Sequence, residues 1–291
     1  MRSKIIILTV LVGALSVLSF YLVFTVPVPT LSDADLWSVP RDSRSTRNSS
    51  ISGTGTTAFL LPVSEPTYFP IRDTAVPSPE LTAKSFLIYD SKNGKIIFSK
   101  DPARALPVAS LTKLLTAIIG LENLNDKEVI AITEESFNID GEGAIFRLQE
   151  QFYFQDLLGA MLVKSSNDAA VAIAKAVEKK TGQKFADFMN RKALQIGMDR
   201  SNFLDPAGLN DESYSSSGDL LRLIQYAKRY PEIQNFIGSR SLAITSADGK
   251  FAHNFTSTNR LWNDLPDLIG GKTGSTDGAL GCMIAEENLP E

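Results

Sequence analysis

Residues 5–26 form an apolar run without a single charged side chain, long enough to cross a hydrocarbon core of about 30 Å as a helix. Arg2 and Lys4 precede it and the next charge is Asp33, so the positive-inside bias places the N-terminus in the cytoplasm and everything after Val26 outside. A cleaved signal peptide is the competing reading. The run exceeds the usual apolar length of about 7–15 residues, however, and ends without a small-x-small site. The expectation is a cytoplasmic stub at 1–4 and an uncleaved transmembrane signal anchor at 5–26, a single-pass helix in the cell membrane.

From 27 to 80 the apolar pattern gives way to Pro, Ser, Thr and Gly, with polar residues dominating 43–57. This stretch reads as an extracytoplasmic linker, with short apolar patches at 58–63 and 68–71 that could pack on the folded domain. Regular patterning begins near Leu81. Residues 85–89 and 95–99 are short β-prone runs flanking Asp90-Ser91-Lys92-Asn93-Gly94, where the Asn-Gly pair supplies the positive φ of a hairpin turn. Helical periodicity comes next at 111–124, 153–180, 184–196 and 218–230, the last with Ser217 as candidate N-cap and Pro231 as its stop. Strand-like runs return at 241–245, 268–273 and 280–285. A sheet of early and late strands with helices inserted between them is the simplest architecture, an α+β or mixed α/β domain over 81–291.

Composition narrows the function classes. With 43% hydrophobic and 21% charged residues in 291, the chain has the balance of a globular protein with room for one sizeable domain plus extensions. A net charge of -4, and no Lys/Arg stripe with interleaved aromatics, argue against a nucleic-acid partner. The lone cysteine, Cys282, cannot form an intramolecular disulfide. The lone histidine, His253, excludes zinc sites built from several imidazoles. A Ser-His-Asp triad would have to use it, yet Ala252-His253-Asn254 carries no supporting motif, so a surface or hydrogen-bonded histidine is the plainer reading.

Three short motifs carry candidate chemistry. In Pro107-Val108-Ala109-Ser110-Leu111-Thr112-Lys113 a serine opens a helical pattern and a lysine stands one turn on, on the same face. A buried lysine with a depressed pKa can take the serine proton without any histidine, and a helix N-terminus adds partial positive charge where an oxyanion would form. Ser165-Ser166-Asn167 interrupts two apolar helical segments, where a loop would bring a hydroxyl and an amide into a cleft. Alone, it would be read as a helix break with an N-cap. Gly270-Gly271-Lys272-Thr273-Gly274-Ser275 comes after an apolar strand start, and such a strand suits a peptide ending in a carboxylate. The phosphate loop G-x-x-x-x-G-K-[ST] is not matched, because its first glycine is missing.

The order S-x-x-K, S-x-N, K-T-G is the signature set of penicillin-binding proteins and serine β-lactamases, whose middle member is more often S-D-N. Together with Phe203-Leu204-Asp205-Pro206-Ala207-Gly208-Leu209 and Gly271-Lys272-Thr273-Gly274-Ser275-Thr276, these stretches resemble the D-alanyl-D-alanine carboxypeptidase family, peptidase family S11. The resemblance spans about residues 81–285. It implies a β-lactamase/transpeptidase-like fold and removal of the terminal D-alanine from peptidoglycan stem peptides. Ser110 would be the acylated nucleophile and Lys113 its base, with Ser165 relaying a proton to the leaving group. Asn167, Lys272, Thr273, Gly274 and Ser275 would bind substrate, with the Ser110 and Ser275 amides as oxyanion hole. No metal or organic cofactor is implied, and β-lactam antibiotics would be covalent inhibitors.

Two departures accompany the resemblance. Ser275 stands where the family commonly has histidine, which leaves a backbone donor in place. The sequence ends at Glu291, and the expectation is a domain lacking the family's last strand and C-terminal helix. Alternatives within the fold are a D,D-endopeptidase with the same machinery and a β-lactamase, for which 199–210 offers Asp205 but not the class A glutamate. A catalytically inactive, membrane-tethered peptidoglycan-binding protein is the alternative from another class.

Overall fold

The computed structural model describes residues 75–76, 80–137, 139 and 145–288. The anchor expected at 5–26 lies outside the described residues, as does nearly all of the linker expected at 27–80. Among the described residues no helix is long and apolar enough to cross a membrane.

The chain order is β1 (Phe86–Asp90), β2 (Lys95–Lys100), β3 (Leu106–Pro107), a 3-10 turn (Ala109–Leu111), α1 (Thr112–Asn123), β4 (Val129–Ala131), α2 (Glu134–Phe137) and β5 (Gln151–Tyr153). It continues through α3 (Phe154–Val163), α4 (Asn167–Thr181), α5 (Phe185–Gln195), β6 (Tyr214–Ser215), α6 (Ser217–Ala227) and α7 (Pro231–Ile237). Last come β7 (Ser241–Thr245), β8 (Ala252–Thr256), a 3-10 turn (Arg260–Asn263), β9 (Leu268–Thr276) and β10 (Leu280–Glu287). This is the mixed helix-and-strand order expected from the pattern of the sequence.

The helices hold the core because the first three-quarters of α1 is buried all round. Residues from Thr112 to Gly120 are buried, which a helix tolerates only when other elements cover every face. The cover comes from α3, α4, α5 and α6, through side chains such as Phe154, Leu157, Met161, Ala170, Ile173, Met189 and Leu223.

The periodicity that runs from 153 to 180 is two helices. α3 stops at Val163, and α4 restarts at Asn167 with Ser166 as N-cap, its hydroxyl accepting from the Ala169 amide at 3.1 Å. Between them Ser165 takes a φ of 66°, a left-handed conformation that ends a helix and is uncommon for a side-chain-bearing residue. The cap of α6 is Ser216, whose hydroxyl accepts from the Asp219 amide at 3.1 Å, one residue before the expected Ser217. Ser217 turns its hydroxyl to Ser85 at 3.0 Å instead. Pro231 does more than stop a helix, since it occupies the first turn of α7, where its missing N–H costs nothing.

β1 and β2 form the expected antiparallel hairpin with Asp90 opposite Lys95. Gly94 carries the positive φ of the turn, and Asp90 accepts from the Lys92 and Asn93 amides. The late strands β9 and β10 pair antiparallel with Gly274 opposite Cys282. A strand that the sequence pattern does not announce, β8, pairs with β7; its alternation is hidden because His253 stands at a half-buried position. Among the described residues no ladder joins the early hairpin to the late one into a single sheet. β9 packs against the Ala109–Leu111 turn instead, so the strand carrying Lys272 runs beside the serine.

Candidate active site

Ser110 sits in the middle of the Ala109–Leu111 turn, directly ahead of α1. Ala109 holds a φ of 44°, a region L-residues seldom occupy and one often found where a functional side chain must be aimed. The turn places Ser110 partly exposed while Lys113 is fully buried. Lys113 Nζ donates to Ser110 Oγ at 2.7 Å, to Asn167 Oδ1 at 2.8 Å and to the Ala207 carbonyl at 2.7 Å. One cation thus gathers the first motif, the second motif and the loop that contains Asp205.

The second lysine closes the opposite wall. Lys272, buried in β9, donates from Nζ to Ser165 Oγ at 2.8 Å and to the Thr273 carbonyl at 2.8 Å. Ser165 reaches it because its left-handed backbone swings the side chain out of the helical path between α3 and α4. Two serine hydroxyls and two buried ammonium groups therefore alternate around one cleft, each serine bonded to a different lysine.

Glycine makes the cleft this narrow. A Cβ added at Gly274 would lie 2.9 Å from the Ser110 amide nitrogen and 2.8 Å from Cys282 Sγ. Only a residue without a side chain lets β9 approach the serine turn so closely. Ser275 is the next residue on the same strand and is exposed. The Thr273 hydroxyl lies 2.6 Å from that of Thr258. Two hydroxyls and a buried cation on one strand edge are chemically suited to a carboxylate.

The loop from 205 to 210 forms the floor beneath Lys113. Asp205 Oδ1 accepts the amides of Ala207, Gly208 and Leu209 at 2.8, 2.6 and 3.2 Å, and Oδ2 accepts that of Asn210 at 2.9 Å. Its carboxylate is spent on folding the loop, so this acid is not free to activate a water. Gly208, with a φ of 76°, presses on the serine turn so tightly that a Cβ there would fall 1.9 Å from the Ala109 carbonyl oxygen. Thr116 Oγ1 donates to the Pro206 carbonyl at 2.7 Å and completes the anchoring.

All eight residues singled out in the sequence, Ser110, Lys113, Ser165, Asn167, Lys272, Thr273, Gly274 and Ser275, fall on these converging elements. His253 does not join them: Nε2 lies 2.7 Å from Glu150 Oε1, and Phe146, Phe152 and Phe255 surround the ring. The hydrogen-bonded histidine expected from Ala252-His253-Asn254 is thereby found. Among the described residues no group of three or more His, Cys, Asp or Glu side chains could hold a metal ion.

Four supports of the site escape sequence reasoning. Thr258 has no motif to announce it. Asp168 lies buried beside Asn167 and accepts the Ile145 amide at 2.7 Å, fastening the neighbouring loop, while desolvation raises its carboxyl above the ordinary range. Cys282 donates from Sγ to the Val108 carbonyl at 3.0 Å, bracing the serine turn from behind, and burial pushes its thiol up to about 11. Asp211 bonds across to the end of β9. Of the four, Asp168 alone has a signal, since it directly follows the S-x-N triplet.

Comparison with known proteins points to one family. The sequence profile of the D-alanyl-D-alanine carboxypeptidases, peptidase family S11, matches residues 72–288. A D-alanyl-D-alanine endopeptidase of Pseudomonas aeruginosa is 31% identical over 216 residues, 72% of this chain and 68% of the relative. The D-alanyl-D-alanine carboxypeptidase DacF of Bacillus subtilis is 29% identical over 210 residues, and there the chain covers 53% of the relative's length. Among solved structures, penicillin-binding protein D2 of Listeria monocytogenes in its ampicillin-bound form superposes with a TM-score of 0.63 at 28% identity, covering 74% of this chain and 87% of that one.

Proposed function

Because the chain belongs to the D-alanyl-D-alanine carboxypeptidase family, peptidase family S11, we propose that it hydrolyses the terminal D-alanyl-D-alanine bond of peptidoglycan stem peptides through an acyl-enzyme at Ser110. The observation that carries this reading is the 2.7 Å contact between Lys113 Nζ and Ser110 Oγ, with the Ser165–Lys272 pair across the same cleft.

The chemistry derives from the placement of each group. Lys113 Nζ, which donates to three acceptors in the resting site, first gives up one proton to solvent, and as the neutral amine it takes the Ser110 proton while Oγ attacks the carbonyl carbon of the penultimate D-alanine. The carbonyl oxygen, negative in the tetrahedral species, faces the amides of Ser110 and Ser275 on either side of the narrow approach at Gly274. When the C–N bond breaks, the proton that Lys113 took passes by way of Ser165 Oγ to the leaving amine, free D-alanine departs, and Lys113 is again a neutral amine. Water then attacks the Ser110 ester, giving up a proton to the same base, and releases the shortened peptide. Lys272 and Thr273 hold the terminal carboxylate, and Asn167 orients both Lys113 and the substrate amide. A β-lactam would acylate the same serine; the Listeria relative has been solved in an ampicillin-bound form.

Such substrates lie outside the cytoplasmic membrane. The charge-free run at 5–26, preceded by Arg2 and Lys4, supports an N-terminal anchor with the domain on the outer side.

A second reading is favoured by one observation, the endopeptidase name of the Pseudomonas relative. The same residues would then cut a cross-link, with a second stem peptide in place of free D-alanine as leaving group. Incubation of the full chain with a purified stem pentapeptide and, separately, a cross-linked dimer separates the two. Release of D-alanine from the monomer supports carboxypeptidase action, conversion of dimer to monomers alone supports endopeptidase action, and no product from either overturns the proposal.

A further inference from the structure

Asp211 reaches across the end of the cleft. Its Oδ1 accepts from the Thr276 hydroxyl and its Oδ2 from the Gly278 amide at 3.0 Å. The Ala279 amide bonds back to Thr276 Oγ1 at 3.1 Å, so that one carboxylate and one hydroxyl shape the whole turn from β9 into β10. The fit is close: a Cβ added at Gly278 would fall 2.5 Å from the Asp211 carboxyl carbon.

The position of this clasp gives it meaning. Asp211 is the next residue after the 205–210 loop, which touches Lys113 through the Ala207 carbonyl and presses on Ala109 through Gly208. Thr276 is the next residue after Ser275 on β9. The base and the strand bearing one amide of the oxyanion pair are therefore tied to a single short loop, at its two ends. With the Asp211 tie removed, the loop would stay on Lys113, and the end of β9 would be free to shift relative to the Ser110 amide.

We propose that Asp211 is a positioning residue, which sets the spacing between the Ser110 and Ser275 amides by clasping Thr276 and Gly278. The inference rests on the acyl-enzyme reading above and adds a residue to it. Both partners are exposed or half-exposed, so the clasp contributes little to global stability and its effect is confined to the rate of acyl transfer.

Stopped-flow acylation of the full chain by a fluorescent penicillin tests this, with the saturating rate constant and the half-saturating concentration measured separately. Asp211→Ala is expected to lower the saturating rate constant about tenfold, less than outright loss of an oxyanion donor, with the half-saturating concentration unchanged. Thr276→Val should do the same, and the double variant should be no slower than about twofold below either single variant, because both remove one clasp. Asp211→Asn, which keeps the shape and one acceptor, should fall between and serves if Asp211→Ala does not fold. A wild-type rate constant in Asp211→Ala and Asp211→Asn, a change confined to half-saturation, or additive losses in the double variant would each overturn the proposal. Absence of acylation in the wild-type chain would instead remove the reading on which it rests.

Discussion

Ser165 Oγ and Lys272 Nζ, 107 residues apart in the sequence, meet at 2.8 Å across the cleft. That contact turns three separate motifs into one site, because Lys113 already binds Ser110 and Asn167 on the other wall. Replacing Lys272 with Met keeps much of the side-chain bulk but removes the ammonium. It is expected to lower kcat/KM for a stem peptide by about 100-fold or more, as loss of charge-assisted contacts to substrate and to Ser165 predicts. Steady-state kinetics on Lys272→Met would count against the role if kcat/KM stayed within a few-fold of wild type.

Lys113→Ala removes the proposed acceptor of the serine proton, together with its bonds to Asn167 Oδ1 and the Ala207 carbonyl. Acylation by a β-lactam should slow by several orders of magnitude. Normal acylation kinetics in this variant would show that another group acts as base.

The loop under Lys113 depends on one carboxylate. Asp205→Ala leaves four backbone amides without their acceptor, at a cost of about 2–4 kcal/mol if a few of them stay shielded from water. Thermal unfolding should show a fall of several degrees, accompanied by loss of acylation because Ala207 no longer meets Lys113. A melting temperature equal to wild type would contradict this account of the loop.

Cys282 links stability to alkaline pH. Burial raises its thiol from the ordinary 9.0 to about 11, so the unfolded chain releases its proton first. The stabilising contribution is complete below pH 9 and is lost as pH rises from 9 toward 11, amounting to roughly 3 kcal/mol at most. Tyr230, pushed up by burial and by Glu122, acts with the same sign at higher pH. Comparing urea midpoints of wild type and Cys282→Ala between pH 8 and 10 isolates the thiol. Parallel slopes for the two proteins would argue against it.

What the sequence discloses and what it hides have physical causes. Ser110 and Lys113 are legible because helical spacing puts them together wherever the helix forms. The Lys272 strand is legible because Gly-Gly-Lys-Thr-Gly marks a strand that something must approach closely. The break at Ser165 is visible as a polar interruption, though not as a left-handed residue. Thr258 and Asp211 are invisible, since each works through a tertiary contact to β9 with no local pattern to betray it. The cap of α6 moves by one residue to Ser216 because two adjacent serines can both cap, and only the contact between Ser217 and Ser85 decides between them.

The most direct test of the central claim is mass spectrometry of the full chain after incubation with benzylpenicillin, with Ser110→Ala treated in parallel. The account predicts a mass increase of one penicilloyl group in the wild type, mapped by peptide fragmentation to Ser110, and none in the variant. A folded wild-type protein that gains no mass, or a Ser110→Ala protein that gains it, would contradict the assignment of Ser110 as nucleophile.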